Sequence, residues 1–141
     1  MKKKISILFI IAFLLAFLFQ TNVMAAMPNE DSIMNNNVNS TITNFDISSS
    51  GNAEVYVYYR GISGVTSGAS ISVVIKKITF LWFTTTVVDE TYNIAAESYS
   101  NTYYYDLSSY GSGTYRCNVT YTVSGSGGAD DVIPFEDTAS Y

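Results

Sequence analysis

Residues 114–124, Thr-Tyr-Arg-Cys-Asn-Val-Thr-Tyr-Thr-Val-Ser, decide the fold. Tyr115, Cys117, Val119, Tyr121 and Val123 fall on one side of a two-residue period; Thr114, Arg116, Asn118, Thr120 and Thr122 fall on the other. A helix turns about 100° per residue and would scatter both sets around its circumference, whereas a strand gives each its own face. The residue types agree with the period, because Val, Thr and Tyr suit a pleated, half-buried surface. This stretch reads as a strand with an apolar inner face and a hydroxyl-rich outer one.

Working outward, the same period recurs. Thr41–Ile47 sets Phe45 and Ile47 on one face and ends at Ser48–Asn52. Ala53–Arg60 opposes Val55, Val57 and Tyr59 to Glu54, Tyr56, Tyr58 and Arg60. After a loop at Gly61–Gly68, Ala69–Ile78 and Trp82–Ile94 form two more strands, the second rich in β-branched residues. Thr102–Leu107 is another, and Val132 towards Tyr141 is the last, with Pro134 marking an edge position. Only Ala95–Ser98 suits a short helical turn. Seven or so short strands with no helix between them predict an all-β domain, an antiparallel two-sheet sandwich, with a barrel as the alternative.

The N-terminus is of a different character. Lys2–Lys4 precede an apolar run from Ile5 to Phe19, then Gln20-Thr21-Asn22 and the small-residue site Val23-Met24-Ala25. That is the secretory signal pattern, predicting a signal helix over 1–25 and cleavage after Ala25. The run is shorter than the roughly 20 apolar residues of a membrane span, which disfavours an uncleaved anchor. Residues 26–40 are polar and asparagine-rich and read as a flexible arm, leaving 41–141 as the domain. Export changes the charge. The chain carries 7 basic and 12 acidic residues for a net −5; without Lys2–Lys4, four basic residues face all twelve acids and the net is −8. Neither a nucleic-acid partner nor an anionic-membrane electrostatic footprint is therefore expected, since neutralising phosphates takes clustered cations. The chain has no histidine, which removes Ser-His-Asp and Cys-His nucleophilic sites and imidazole metal sites together. Its single cysteine excludes an intramolecular disulfide and a thiolate zinc cluster.

The stretch from Leu107 to Cys117, Leu-Ser-Ser-Tyr-Gly-Ser-Gly-Thr-Tyr-Arg-Cys, resembles the E–F region of immunoglobulin-like domains, where leucine, tyrosine and cysteine keep this spacing. The resemblance implies an immunoglobulin-like sandwich with Tyr115 packed inward, its hydroxyl on backbone at the corner, and Cys117 in the core. Gly111 stands where those domains usually carry an aspartate, and no second-strand cysteine faces Cys117. The whole layout is also similar to a group of small secreted proteins of Gram-positive bacteria. Their shared features here are Ser48–Gly51, Lys76-Lys77, Trp82, Gly113–Arg116 and Thr138–Tyr141. That similarity implies a fold and an extracellular location, and no activity.

Several features are candidates for function. Phe80-Leu81-Trp82-Phe83 places four large apolar residues at a turn, where polar residues are the rule, and so suggests a partner or membrane contact. The competing reading folds half of them into the core. Tyr56, Tyr58 and Arg60, with Tyr103, Tyr104, Tyr105 and Tyr110, suggest a flat aromatic face for a protein or glycan; ordinary cross-strand pairing is the competing reading. Tyr103 and Tyr105 point opposite to Tyr104, so one of those sets belongs to the core. Asp130-Asp131 and Glu136-Asp137 lack the ligand spacing of a calcium loop and read as solvated acids. Cys117 reads as a small buried hydrophobe, with a bridge between chains as the alternative. The expectation is a secreted, non-catalytic binding or structural module with no cofactor and an extracellular protein or glycan as partner. The alternative is a membrane-active or toxin-like protein using the hairpin tip.

Overall fold

The computed structural model describes residues 35–80 and 83–141. The signal segment, most of the arm, Leu81 and Trp82 therefore lie outside the described residues. Among the described residues seven strands follow one another: β1 (Val38–Ile47), β2 (Asn52–Gly61), β3 (Thr66–Ile78), β4 (Thr84–Ile94), β5 (Ser98–Asp106), β6 (Thr114–Gly125) and β7 (Asp131–Ser140). A 3-10 turn, Ser108–Tyr110, interrupts the β5–β6 connection. One sheet has the order β1-β2-β5 and the other β4-β3-β6-β7, and every pairing is antiparallel. The chain is an all-β sandwich.

The two-residue period fixes which side chains meet between the sheets. β2 contributes Ala53, Val55, Val57 and Tyr59, β3 contributes Ala69, Ile71, Val73 and Ile75, and β6 contributes Tyr115, Cys117, Val119, Tyr121 and Val123. Each fully buried Val or Ile stabilises the fold by roughly 1.5–3 kcal/mol relative to leaving it in water. A one-residue slip would expose the whole set, so burial also locks the register. The buried tyrosines each find a hydroxyl partner, as the cost of burying an unpaired O–H requires. Tyr59 donates to the Ala96 carbonyl at 2.6 Å and Tyr115 to the Gly111 carbonyl at 2.5 Å. Tyr121 reaches across the sandwich to β1, donating to the Ile42 carbonyl at 3.1 Å.

Pro134 does sit on an edge strand, the position in a sheet that tolerates a residue with no N–H. Several boundaries differ from expectation: β5 runs from Ser98 to Asp106, beginning well before the expected Thr102. β3 begins at Thr66, inside the expected loop, with a register shift between Thr66 and Gly68 absorbing the irregularity. Ala96–Glu97 is a bend, not a helical turn, and Ser98 already belongs to β5. β1 begins at Val38, so order reaches back into the segment read as an arm. Hydrogen bonds hold Asn36 and Asn37, and Val38 is buried in the core. Met34–Tyr141 forms one compact unit with its own core and pairing, the requirements for folding alone.

Candidate functional site

The outer face of the three-stranded sheet is a grid set by register. Ile42 lies opposite Tyr58, which lies opposite Ser100; Asn44 lies opposite Tyr56, which lies opposite Thr102. The next rung joins Asp46, Glu54 and Tyr104, and Arg60 closes the far end between Ser40 and Ser98. Tyr104 is 68% exposed and Ile42 51%, while Tyr56 and Tyr58 are half-buried beside them. The structure thus brings Tyr56, Tyr58, Arg60 and Tyr104 onto one face. It adds Ile42, which periodicity marks as outward but which the sequence reading did not single out.

Tyr103 and Tyr105 do not join that face. They point between the sheets, where β4 and β5 are unpaired edges that side chains must close. Tyr92 of β4 stacks on Tyr103 with ring centroids 3.8 Å apart and 13° between planes. The Tyr92 and Tyr105 hydroxyls pair at 3.0 Å, those of Tyr99 and Tyr103 at 3.2 Å, and Tyr92 also donates to Glu90. Burial, with these neighbouring phenols second, pushes the Tyr103 and Tyr105 hydroxyls well above the ordinary tyrosine range. This row keeps its protons and serves as a side wall. Tyr110 stands apart from both sets, in the 3-10 turn.

The β3–β4 hairpin ends in a tight turn. Thr79 N and Thr79 Oγ1 donate to the Phe83 carbonyl at 2.7 and 2.8 Å, and Phe83 N donates to Phe80 O at 3.4 Å. Pairing of β3 with β6 stops at Lys77–Tyr115, while pairing with β4 continues to Ile78–Thr84, so the turn stands beyond the last rung shared with β6. Phe80 is 78% and Phe83 73% exposed. Neither folds into the core.

At the same end lies the expected corner. Tyr115 is fully buried, its ring stacks on Tyr141 at 5.7 Å, and its hydroxyl reaches Gly111 O. Gly111 has φ +76°, which a side chain would strain, and this turns its carbonyl toward both Tyr115 and Lys77. Lys77 Nζ donates to it at 3.0 Å and also to Tyr110 O. Leu107 is fully buried; its N–H donates to Gly51 O at 2.9 Å and its carbonyl accepts from Tyr141 Oη at 2.8 Å. Burial, then Tyr141, pushes the Tyr115 hydroxyl up to about 12. Cys117 is free and fully buried; burial, with Asp137 second, pushes its thiol up to about 12. A thiol so placed is neither nucleophilic nor accessible to a second chain.

The acids are not alike. Asp131 is buried, and its carboxylate accepts the backbone N–H groups of Asn36, Asn37 and Val38 at 2.9, 2.7 and 3.0 Å. The expectation of a solvated acid is wrong at this position. The neighbouring Asn37 is also buried: its Nδ2 donates to Ala129 O at 2.9 Å, its Oδ1 accepts from Gly127 N at 3.1 Å, and its carbonyl accepts from Thr66 Oγ1. Glu136 instead bonds Asn118 Nδ2 at 2.7 Å. Among the described residues no group of three or more metal-ligating side chains converges.

No protein-family model matches the chain. No curated protein matches it either. Among solved structures the chain is similar to a beta-glucosidase from Listeria innocua. The structure with isofagomine shows 17% identity and a TM-score of 0.42, and the enzyme without that ligand shows 16% and 0.44. In both, the match covers 72% of this chain and 16% of the enzyme chain, so the chain spans under one fifth of the protein it resembles.

Proposed function

We propose that the protein is a secreted, non-catalytic binding module that meets an extracellular protein or glycan through the outer face of its three-stranded sheet. The observation carrying this reading is the exposure of Tyr104 and Ile42 in the same register grid as Tyr56, Tyr58 and Arg60. Tyrosine suits such a surface because its ring offers a large rigid contact at low entropy cost and its hydroxyl a polar handle. Asn44, Ser100 and Thr102 between the rings add hydrogen-bonding groups of the kind that orient a sugar or a peptide.

Absence of catalysis is supported by the chemistry of the candidates. The chain has no histidine, Cys117 is held as a buried thiol, and the phenols of the side wall keep their protons. The Tyr115 corner, with its hydroxyl on backbone four residues upstream, supports the immunoglobulin-like reading. Export rests on Lys2–Ala25 and is checked by N-terminal sequencing of protein from culture medium, expected to begin at Ala26.

The test of the surface pairs a glycan array and a pull-down of extracellular proteins on Met34–Tyr141 with the same assays on Ile42→Ser/Tyr104→Ser. The expected result is a ligand retained by the wild type and lost by the variant at unchanged melting temperature. A ligand held equally by both would reject this face.

A further inference from the structure

On the outer face of the three-stranded sheet the charges are sorted by end. Asp46 lies directly opposite Glu54, and Asp106 follows one rung further out, opposite Asn52. Arg60 stands alone at the far end, between Ser40 and Ser98. All four charged side chains are exposed. Like charges directly opposed across strands cost stability, so the Asp46–Glu54 rung gains from any cation brought to it. Arg60 does not reach it within one chain, because the two ends of β2 lie about 20 Å apart at the rise of a strand. Among the described residues the ion pair is Arg116–Glu136, on the other sheet. Glu97, beside Ser98, accepts the Gly64 N–H at 2.8 Å and leaves Arg60 without a carboxylate among the described residues. Asp46 and Asp106 accept the N–H groups of Ile47 and Ser108, both at 2.9 Å.

This pattern is its own complement. Sheets packed face to face keep their strands nearly aligned about 10 Å apart, a gap that arginine and glutamate span together. A two-fold axis between two copies, crossing the strands at Val57, reverses strand direction and lays β2 over β2. Arg60 of one copy then faces Glu54 of the other, with Asp46 beside it. Tyr58 faces Tyr56 of the other copy, and Ile42 faces Asn44, so the apolar and aromatic groups fill the centre. Such a contact is isologous, and each ion pair is made twice. The other possible axis, along the strands, would set Arg60 on Arg60 and Glu54 on Glu54. The charges therefore select one arrangement, and a foreign partner has no need of their symmetry about Val57.

We propose that the partner met by this face is a second copy of the chain. The two dock sheet to sheet, and Arg60 of each pairs with Asp46 and Glu54 of the other. The inference rests on the reading of this face as a binding surface and names its occupant. Three strands and four rungs cover roughly 400 Å² per copy, against roughly 800 Å² per partner in a standard interface, so the dimer is transient and concentration-dependent. Tyrosine and arginine suit so small a contact, because rigid rings and a desolvated guanidinium carry most of the energy of an interface.

Sedimentation velocity of Met34–Tyr141 from about 10 to about 500 µM covers the range of a weak dimer. The wild type should pass from monomer to dimer across it, less readily at high salt. Arg60→Glu and Asp46→Lys/Glu54→Lys should each weaken association at least about tenfold, since each sets like charges together at both contacts. The second variant makes the chain less acidic, which by itself favours association, so its loss reports the local contact and not net charge. An equal mixture of the two variants should dimerise as the wild type does, because each copy then offers the other its complement at both contacts. That recovery also shows both variants to be folded. A monomer at every concentration, association indifferent to either charge reversal, or no recovery on mixing would each overturn the second copy as occupant. In any of those cases, a glycan or protein retained by the wild type and lost by Ile42→Ser/Tyr104→Ser still keeps the face as a binding surface, which tells the two failures apart.

Discussion

The two ends of the sandwich are tied by opposite chemistry. At the end bearing the β5–β6 connection, phenols and carbonyls do the tying: Tyr115 on Gly111, Tyr141 on Leu107, with Lys77 as a second donor to Gly111. At the other end a buried carboxylate, Asp131 at the start of β7, gathers three successive amides leading into β1 and so fastens one sheet to the other. Neutral bonds with an alternative donor can be lost one at a time. A buried carboxylate serving three donors cannot be removed without orphaning all of them, and an orphaned buried group costs more than the bond it replaces.

The largest expected effect follows from that difference. Asp131→Ala should cost about 3–5 kcal/mol, because three amides at the start of β1 lose their acceptor and nearby backbone cannot replace it. Asp131→Asn keeps one acceptor oxygen and should cost roughly half as much. Urea unfolding midpoints of both variants measure this. A loss under about 1 kcal/mol for Asp131→Ala would show that water replaces the carboxylate, and the contrast between the ends would break.

Alkaline conditions should act on the corner before the clamp. Tyr115 and Cys117 both sit near 12 in the fold, against ordinary values of 10.0 and 9.0. The unfolded chain therefore releases these protons first, and the fold favours the neutral forms. Their contribution is complete below about pH 9 and is lost as pH rises from there toward about 12. Asn37, Thr66 and the backbone amides of the clamp lose no proton in that range. Urea midpoints should hold steady from pH 7 to about 9 and then fall, less steeply in Tyr115→Phe. A flat midpoint to about pH 11 would contradict the assignment of protonated, buried groups at the corner.

The same contrast explains what was legible. The corner's Leu107, Tyr115 and Cys117 lie within one short stretch, and the strict period after Thr114 assigns Tyr115 and Cys117 inward before any partner is known. The clamp is invisible to such reading, because Asp131 and the amides it holds are more than ninety positions apart. In sequence Asp131 looks no different from its exposed neighbour Asp130. Alternation separated Tyr104 from Tyr103 and Tyr105, yet deciding which faced water required knowing that β5 pairs with β2. Period also fails at the tip, since Phe80 and Phe83 stand beyond the last rung shared with β6 and no alternation governs them.

The smallest effect sharpens the comparison most. Tyr115→Phe keeps the ring, its stacking on Tyr141 and its place in the core, and removes only the O–H that donates at 2.5 Å. The Gly111 carbonyl is not left alone, because Lys77 Nζ still donates to it at 3.0 Å. The cost should therefore be near that of a single neutral hydrogen bond, about 1 kcal/mol, or a melting point lowered by about 4–8 °C in a domain of this size. Adding Lys77→Met strips the second donor, and the double variant should lose more than the two single variants combined, since both act on one acceptor. Simple additivity would mean that each donor serves the corner independently, making its tolerance a matter of two unrelated bonds. An excess loss would mean that the shared carbonyl makes this end forgiving, while Asp131 offers the opposite end no such reserve.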